Sequence, residues 1–349
     1  MTYEYEKVAT PGSGLRLHLN ENTAGCSPAV LDALRAITSE TAAFYPDYSD
    51  AIAASCEHLG VLPSNLLLTN GLDEGILGAT VAALRSRPAT GAPEAVVIVP
   101  AFDMYAASAD AAGATVLEVP CRENFEFPLA DVLGAINPRT RIIFITSPNN
   151  PTGITVARES ILTIAAAAPG ALIFVDEAYA DFSGISLIGT PALEAQPNLV
   201  IGRTFAKAYG LAAMRVGALV GAPGVLAPIR RVVPPYSLNV AAAVALPAAL
   251  RDRARYAWYV GEVRESRQLL YDALDRLGVR YWPSDGNFVL ARFGDRSQRV
   301  IKGLLERGIY LRDRSKDHGC AGCVRITTGV VAHTRRCIDA IEEVLCDER

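Results

Sequence analysis

Lysine is nearly missing from this chain. Of the 33 basic residues among 349, only Lys7, Lys207, Lys302 and Lys316 are lysines, so arginine supplies almost all of the positive charge. Other shortages narrow the function. The net charge of −4 leaves no basic excess of the kind that nucleic acid or an anionic membrane selects. No apolar run approaches the ~20 residues that span a bilayer. The opening MTYEYEKVATPGSG lacks the charged and apolar regions of a signal peptide, so a cytoplasmic protein with no nucleic-acid or membrane partner is expected. Cysteines are few and odd in number, seven in all, which fits reduced thiols better than a disulfide framework. Only Cys320 and Cys323 form a CxxC pair. With His318 beside it, that pair is either half of a metal site or two thiols at a strand entrance. No second pair has ligand spacing, and no metal is expected.

What is present is half apolar, with 50% hydrophobic and 20% charged residues, enough for one large core and a smaller one. Short apolar runs recur between Ala-rich, helix-like stretches: AVVIV (95–99), TVLEV (115–119), RIIFIT (141–146), ALIFV (171–175), LVIG (199–202) and GALVG (217–221). They are continuous rather than alternating, as strands covered on both faces are. A mostly parallel, doubly wound α/β sheet follows. Beyond Asn239 the texture changes to a long Arg- and Ala-rich helical stretch, then to NFVLARF and CVRITTG with VIKGLLERG between them. That pattern predicts a smaller α+β lobe, joined by the N-terminal segment. The expected division is an arm over 1–30, a large domain over 31–240, and a linker helix with a small domain over 241–349.

Open α/β sheets bind ligands at the carboxyl ends of their strands. RIIFIT is followed by SPNNPTG (147–153), ALIFV by DEAY (176–179) and LVIG by RTFAK (203–207), so an amide, a carboxylate, a phenol and the isolated lysine converge on one rim. Lysine, unlike arginine, can lose its proton and attack a carbonyl as a free amine. Asp176 directly follows an apolar run, and a carboxylate there needs a cation or several donors; it either caps the next helix or faces a cationic ligand. LLLTNGLDEGI (66–76) reads as a strand, a Gly turn and a helix start whose free amides suit a phosphate. Arg215, eight positions past Lys207, could contact the same phosphate or be an ordinary surface arginine.

Together these segments resemble the fold-type I pyridoxal-phosphate aminotransferases, most closely the histidinol-phosphate aminotransferase branch. The resemblance runs through LNEN (19–22), YPD (45–47), TNGLDE (69–74), PAFDMY (100–105), SPNNPTG, VDEAY, RTFAKAYGLAAMRVG, YLRDRS and VRITTG, in order along nearly the whole chain. It implies a large domain built on a mostly parallel seven-stranded sheet flanked by helices, plus a smaller α+β domain. It also implies that Lys207 forms the Schiff base with pyridoxal phosphate and moves the proton at the substrate Cα. Asp176 would pair with the pyridine nitrogen, and Tyr179 and Asn150 with the ring's phenolic oxygen. Tyr105 would stack on the ring face. The phosphate would be held by the amides of Gly71, Leu72 and Asp73, by Thr204 and Arg215, and by Tyr45 reaching over from the second subunit of a homodimer.

The arm carrying Asn22 helps form the substrate pocket in this family. Arg325 would bind the carboxylate of glutamate and Arg312 the distal anionic group, a phosphate in histidinol phosphate; a surface position for either arginine is the alternative. Two positions depart from the family pattern. Ala206 stands where a serine usually donates to the cofactor phosphate, and NENTAGCSP replaces the usual arm sequence. The expected reaction is transfer of an amino group from a small-molecule donor to a 2-oxo acid, with histidinol phosphate and 2-oxoglutarate as the leading pair. An aromatic amino-acid transaminase, a threonine-phosphate decarboxylase and a non-catalytic cofactor-binding protein are the alternatives.

Overall fold

The structure, a computed structural model, describes residues 11–86 and 88–346. Lys7 and the first ten residues of the expected arm lie outside the described residues. The strands in chain order are β1 (Leu15–Arg16), β2 (Leu66–Thr69), β3 (Glu94–Val99), β4 (Thr115–Pro120), β5 (Thr140–Thr146), β6 (Leu172–Asp176), β7 (Leu199–Thr204), β8 (Gly217–Gly221), β9 (Arg280–Trp282), β10 (Phe288–Arg292), β11 (Ile309–Tyr310), β12 (Arg312–Asp313) and β13 (Cys323–Thr327).

Seven of them form one sheet in the order β2-β8-β7-β6-β5-β3-β4. From β4 to β7 every neighbour is parallel, and β8 alone runs against its neighbours β7 and β2. The continuous apolar runs explain this layering: all five residues of LIFVD in β6 and all five of GALVG in β8 are buried, so both faces of the sheet are covered by helices.

The smaller sheet is β12-β13-β10-β9, all antiparallel, and β1 of the arm adds to β11 in a separate parallel pair. It has its own core, built from Leu15 and Leu17 of the arm, Val289 and Ala291 of β10, and Val300, Leu304, Ile338 and Ile341 of the flanking helices. The 24-residue helix Arg253–Arg276 serves both cores. Its buried positions Tyr259, Val263, Ser266, Leu270 and Leu274 follow a three-or-four spacing, so a single stripe runs along it. Tyr259 and Val263 belong to the large core, whereas Leu270 and Leu274 belong to the small one. The change of texture at Asn239 therefore marks a helix, Val240–Arg251, whose Ala242, Ala245 and Leu246 still pack in the large core.

Candidate active site

The carboxyl ends of β5, β6 and β7 enclose a cavity of about 450 Å³, closed on its other side by the arm and by β12 and β13. Of the residues singled out in the sequence, Leu72, Asp73, Tyr105, Asn150, Asp176, Tyr179, Thr204, Lys207, Arg215, Arg312 and Arg325 all line it.

Asp176, the last residue of β6, is buried and accepts from the Tyr105 hydroxyl at 2.6 Å and from the Ala178 amide at 2.8 Å. It has no ion-pair partner among the described residues. Burial therefore pushes its carboxyl up to about 6, against the pull of the Tyr105 and Ala178 hydrogen bonds. A buried carboxylate held by two donors and lacking a cation fits a protonated ring nitrogen. Thr146 donates to Tyr105, so a relay Thr146–Tyr105–Asp176 forms part of the cavity lining. One face of the Tyr105 ring packs on Phe144 at 5.0 Å and its hydroxyl serves Asp176, which leaves the opposite face for a ligand.

Lys207 lies in the loop after β7, with Nζ donating to the Leu19 carbonyl at 3.0 Å. Burial, reinforced by the nearby Arg325 guanidinium, lowers its amine to about 8. That brings a usable fraction of free amine to neutral pH. Asn150 accepts from Arg325, and Tyr179 accepts from Asn20 at 3.0 Å, so the Asn150 amide and the Tyr179 hydroxyl each keep a proton to donate. The edge of Phe288 fixes the Tyr179 ring at 4.9 Å.

Leu72 and Asp73 bring to the cavity the start of the 14-residue helix Gly71–Leu84, whose N-cap Asn70 makes no side-chain cap bond. Its first amides are thus free for an anion. Arg215 adopts a left-handed conformation (φ 53°) that lays its guanidinium over Gly71. A Cβ at Gly71 would stand 2.6 Å from Arg215 Nη2. Asp73 holds Arg215 at 2.7 Å. The Thr204 hydroxyl accepts from the Ala206 amide at 3.2 Å, leaving its own proton to donate where Ala206 offers none. This cradle suits a phosphate, and the set as a whole fits pyridoxal phosphate.

One expectation changes. Asn22 does not line this cavity: its Nδ2 donates to the Ala208 carbonyl and its Oδ1 accepts from Ala24, so it clamps the arm onto the lysine loop. The neighbouring Asn20 reaches the site instead, bonded to Tyr179 and exchanging two hydrogen bonds with Thr327 of β13. Its left-handed backbone (φ 55°), which Asn tolerates better than most residues, interrupts the alternation that would have put both asparagines on one side. Tyr45 is 78% exposed and stacks on Tyr236 at 4.3 Å, away from this chain's own cavity.

Sequence reasoning missed Arg16, Glu21 and Arg314, which all line the cavity. Arg16 and Glu21 form an ion pair at 2.5 Å. The run LRDRS did hold a clue to Arg314, since alternate residues of a strand share a face. Cys320 and Cys323 are buried beside Phe125, Trp282 and Leu290, and no group of three metal-ligating side chains occurs among the described residues. Among those residues no helix is long and apolar enough to cross a membrane.

The family model for aminotransferase class I and II matches residues 13–341. The histidinol-phosphate aminotransferase of Moorella thermoacetica is 34% identical over 346 residues, covering 95% of this chain and 85% of that one. The enzyme of the same name from a Geobacillus species is 34% identical over 340 residues, with 96% and 91% coverage. The crystal structure of histidinol-phosphate aminotransferase from Sinorhizobium meliloti in complex with pyridoxal-5'-phosphate superposes with a TM-score of 0.83 at 25% identity, covering 96% of this chain and 92% of that one.

Proposed function

This chain belongs to the aminotransferase class I and II family, and from that premise we propose that it is a pyridoxal-phosphate-dependent transaminase that moves the amino group of histidinol phosphate to 2-oxoglutarate. The observation that carries the reading is the set of groups that line one cavity. It brings together a buried carboxylate without a cation, an uncapped helix start with Arg215, and an amine brought down to about 8. The identity of the donor rests on the named relatives.

When bound, pyridoxal phosphate supplies an electron-withdrawing ring that stabilises negative charge at the substrate Cα. The chain's own residues do the rest. Asp176, kept ionised by Tyr105 and Ala178, would hold the ring nitrogen protonated. Tyr179 and Asn150 would donate to the phenolic oxygen and fix the ring's tilt. The amides of Gly71, Leu72 and Asp73 would hold the phosphate, with Thr204 and Arg215. Lys207 Nζ, close to neutrality in pKa, would take the proton from Cα and return it on the other side of the reaction. Arg325, fixed by Asn150 and by the His18 carbonyl at 2.7 Å, would bind the carboxylate of glutamate, and Arg312 the distal anion.

We also take the active unit to be a homodimer in the cytoplasm, with lobes divided as the two cores are. The exposed aromatics Phe44, Tyr45 and Tyr236 support a partner covering that face, with Tyr45 reaching the partner's phosphate. The test is direct. The holoenzyme should convert fully to the amine form with glutamate alone, and Lys207→Ala should lose at least ~10³-fold in turnover. A kcat/KM panel with histidinol phosphate, phenylalanine and threonine phosphate decides the donor. Preference for phenylalanine, or carbon dioxide released from threonine phosphate, would refute the proposed one.

A further inference from the structure

The cavity wall facing the lysine is more cationic than a carboxylate needs. Arg312 of β12 stands directly opposite Arg325 of β13. Arg314, whose amide still bonds to the Cys323 carbonyl at 3.0 Å, continues the same edge two residues on and returns to the same side. All three guanidinium groups line the cavity. Like charges opposed across a strand pair destabilise it, and burial, with Arg314 and Arg312 close by, brings Arg325 down to about 10. Such a cluster is stable only with enough negative charge.

Arg314 is the informative member. It is 6% exposed, yet among the described residues one guanidinium nitrogen does all of the side chain's bonding: Nη2 donates to the Ala101 carbonyl at 3.3 Å and pairs with Asp317. Nε is buried without a partner, and Nη1 makes no hydrogen bond among the described residues. Buried donors of a charged group are costly to leave unmade. Asp317 offsets one positive charge, and Arg325 has no carboxylate within ion-pair distance among the described residues. The hairpin thus holds surplus charge on the cavity wall, and the Arg314 guanidinium keeps unused donors, more than one carboxylate would satisfy.

We propose that Arg314 is a specificity-determining residue that makes this end of the cavity select a doubly charged phosphate monoester over a singly charged carboxylate or an uncharged group. This rests on the reading of histidinol phosphate as amino donor. Arg314→Met keeps the length of the side chain and removes the fork. It should lower kcat/KM for histidinol phosphate by about 10- to 100-fold, chiefly through KM, with a loss for glutamate roughly fivefold smaller or less. Arg314→Lys should recover part of the loss.

Inorganic phosphate, as a competitive inhibitor of the glutamate half-reaction of the holoenzyme, should bind the Met variant about tenfold more weakly. If Arg314→Met fails to fold because it strands Asp317, the double variant Arg314→Met/Asp317→Asn removes both charges and carries the same expectations. Equal losses for both donors, or a loss in kcat alone, would make Arg314 merely structural. An unchanged phosphate inhibition constant would also overturn the inference. If the unaltered enzyme does not turn over histidinol phosphate, the functional reading fails, and phosphate inhibition still tests Arg314.

Discussion

Replacing Asp176 with asparagine should make the apoprotein more stable and the holoenzyme weaker. The carboxyl is buried and raised from 3.8 to about 6, so at neutral pH its ionisation costs the apoprotein about 3 kcal/mol relative to an unperturbed aspartate. Asparagine removes that cost without leaving a donor or acceptor stranded. Its Oδ1 can still accept from Ala178, and its Nδ2 can donate to the Tyr105 oxygen if Tyr105 in turn donates to Thr146, a reversal of the present relay. The sign follows from linkage. Between the unfolded value near 3.8 and the folded value near 6 the native state holds the extra proton, so wild-type stability falls as pH rises through this window and the cost is complete above it. The apo variant should therefore melt on the order of 5 °C higher at pH 7.5. The gain should shrink to nothing near pH 4. Calorimetric melting of both apoproteins across pH 4–8, with cofactor titrations alongside, tests this. The variant's affinity for pyridoxal phosphate should fall at least ~10-fold, because the neutral amide cannot offset a protonated ring. A variant less stable than wild type at pH 7.5, or a difference that does not change with pH, would refute the argument.

Two further outcomes follow from the same cavity. In the apoprotein, acetylation of Lys207 by limiting acetic anhydride, followed by mass spectrometry, should reach half its maximal rate near pH 8; a midpoint above 10 would show that burial and Arg325 do not perturb the amine. Gly71→Ala places a Cβ 2.6 Å from Arg215 Nη2 at a positive φ of 74°, so it should push the guanidinium off the helix start and weaken cofactor affinity by about 10-fold or more. Unchanged affinity would mean that Arg215 contributes nothing there.

The strand-end reading located Asn150, Asp176, Tyr179 and Lys207 because each follows a continuous apolar run, and in a parallel sheet all such runs end on one rim. It said nothing of Asn20 or Arg16, since β1 is only two residues long and pairs with β11, nearly three hundred residues away in sequence. No periodicity exists in so short a strand, and the left-handed Asn20 reverses the side on which each polar residue falls. Asn22 and Asn20 are two positions apart in LNEN, so composition could not tell the clamp from the site residue. Tyr105 shows a different limit: a tyrosine near a cavity offers two faces and a hydroxyl, and only the fold, by setting Phe144 against one face and Asp176 at the hydroxyl, shows which face is left for a ligand.

The shortage of lysine becomes intelligible at this site. Among the described residues six cations line the cavity, and five of them, Arg16, Arg215, Arg312, Arg314 and Arg325, are arginines. A guanidinium does not attack an aldehyde, so these five supply charge and forked donors without offering a nucleophile. Only Lys207 can act as a nucleophile, and the fixed charge of Arg325 beside it helps hold its amine near 8. A second lysine in the wall would bring a rival amine within reach of the same carbonyl, and its own titration would make the field on Lys207 vary with pH. Arginine at every other cationic position keeps both the identity and the basicity of the one amine fixed.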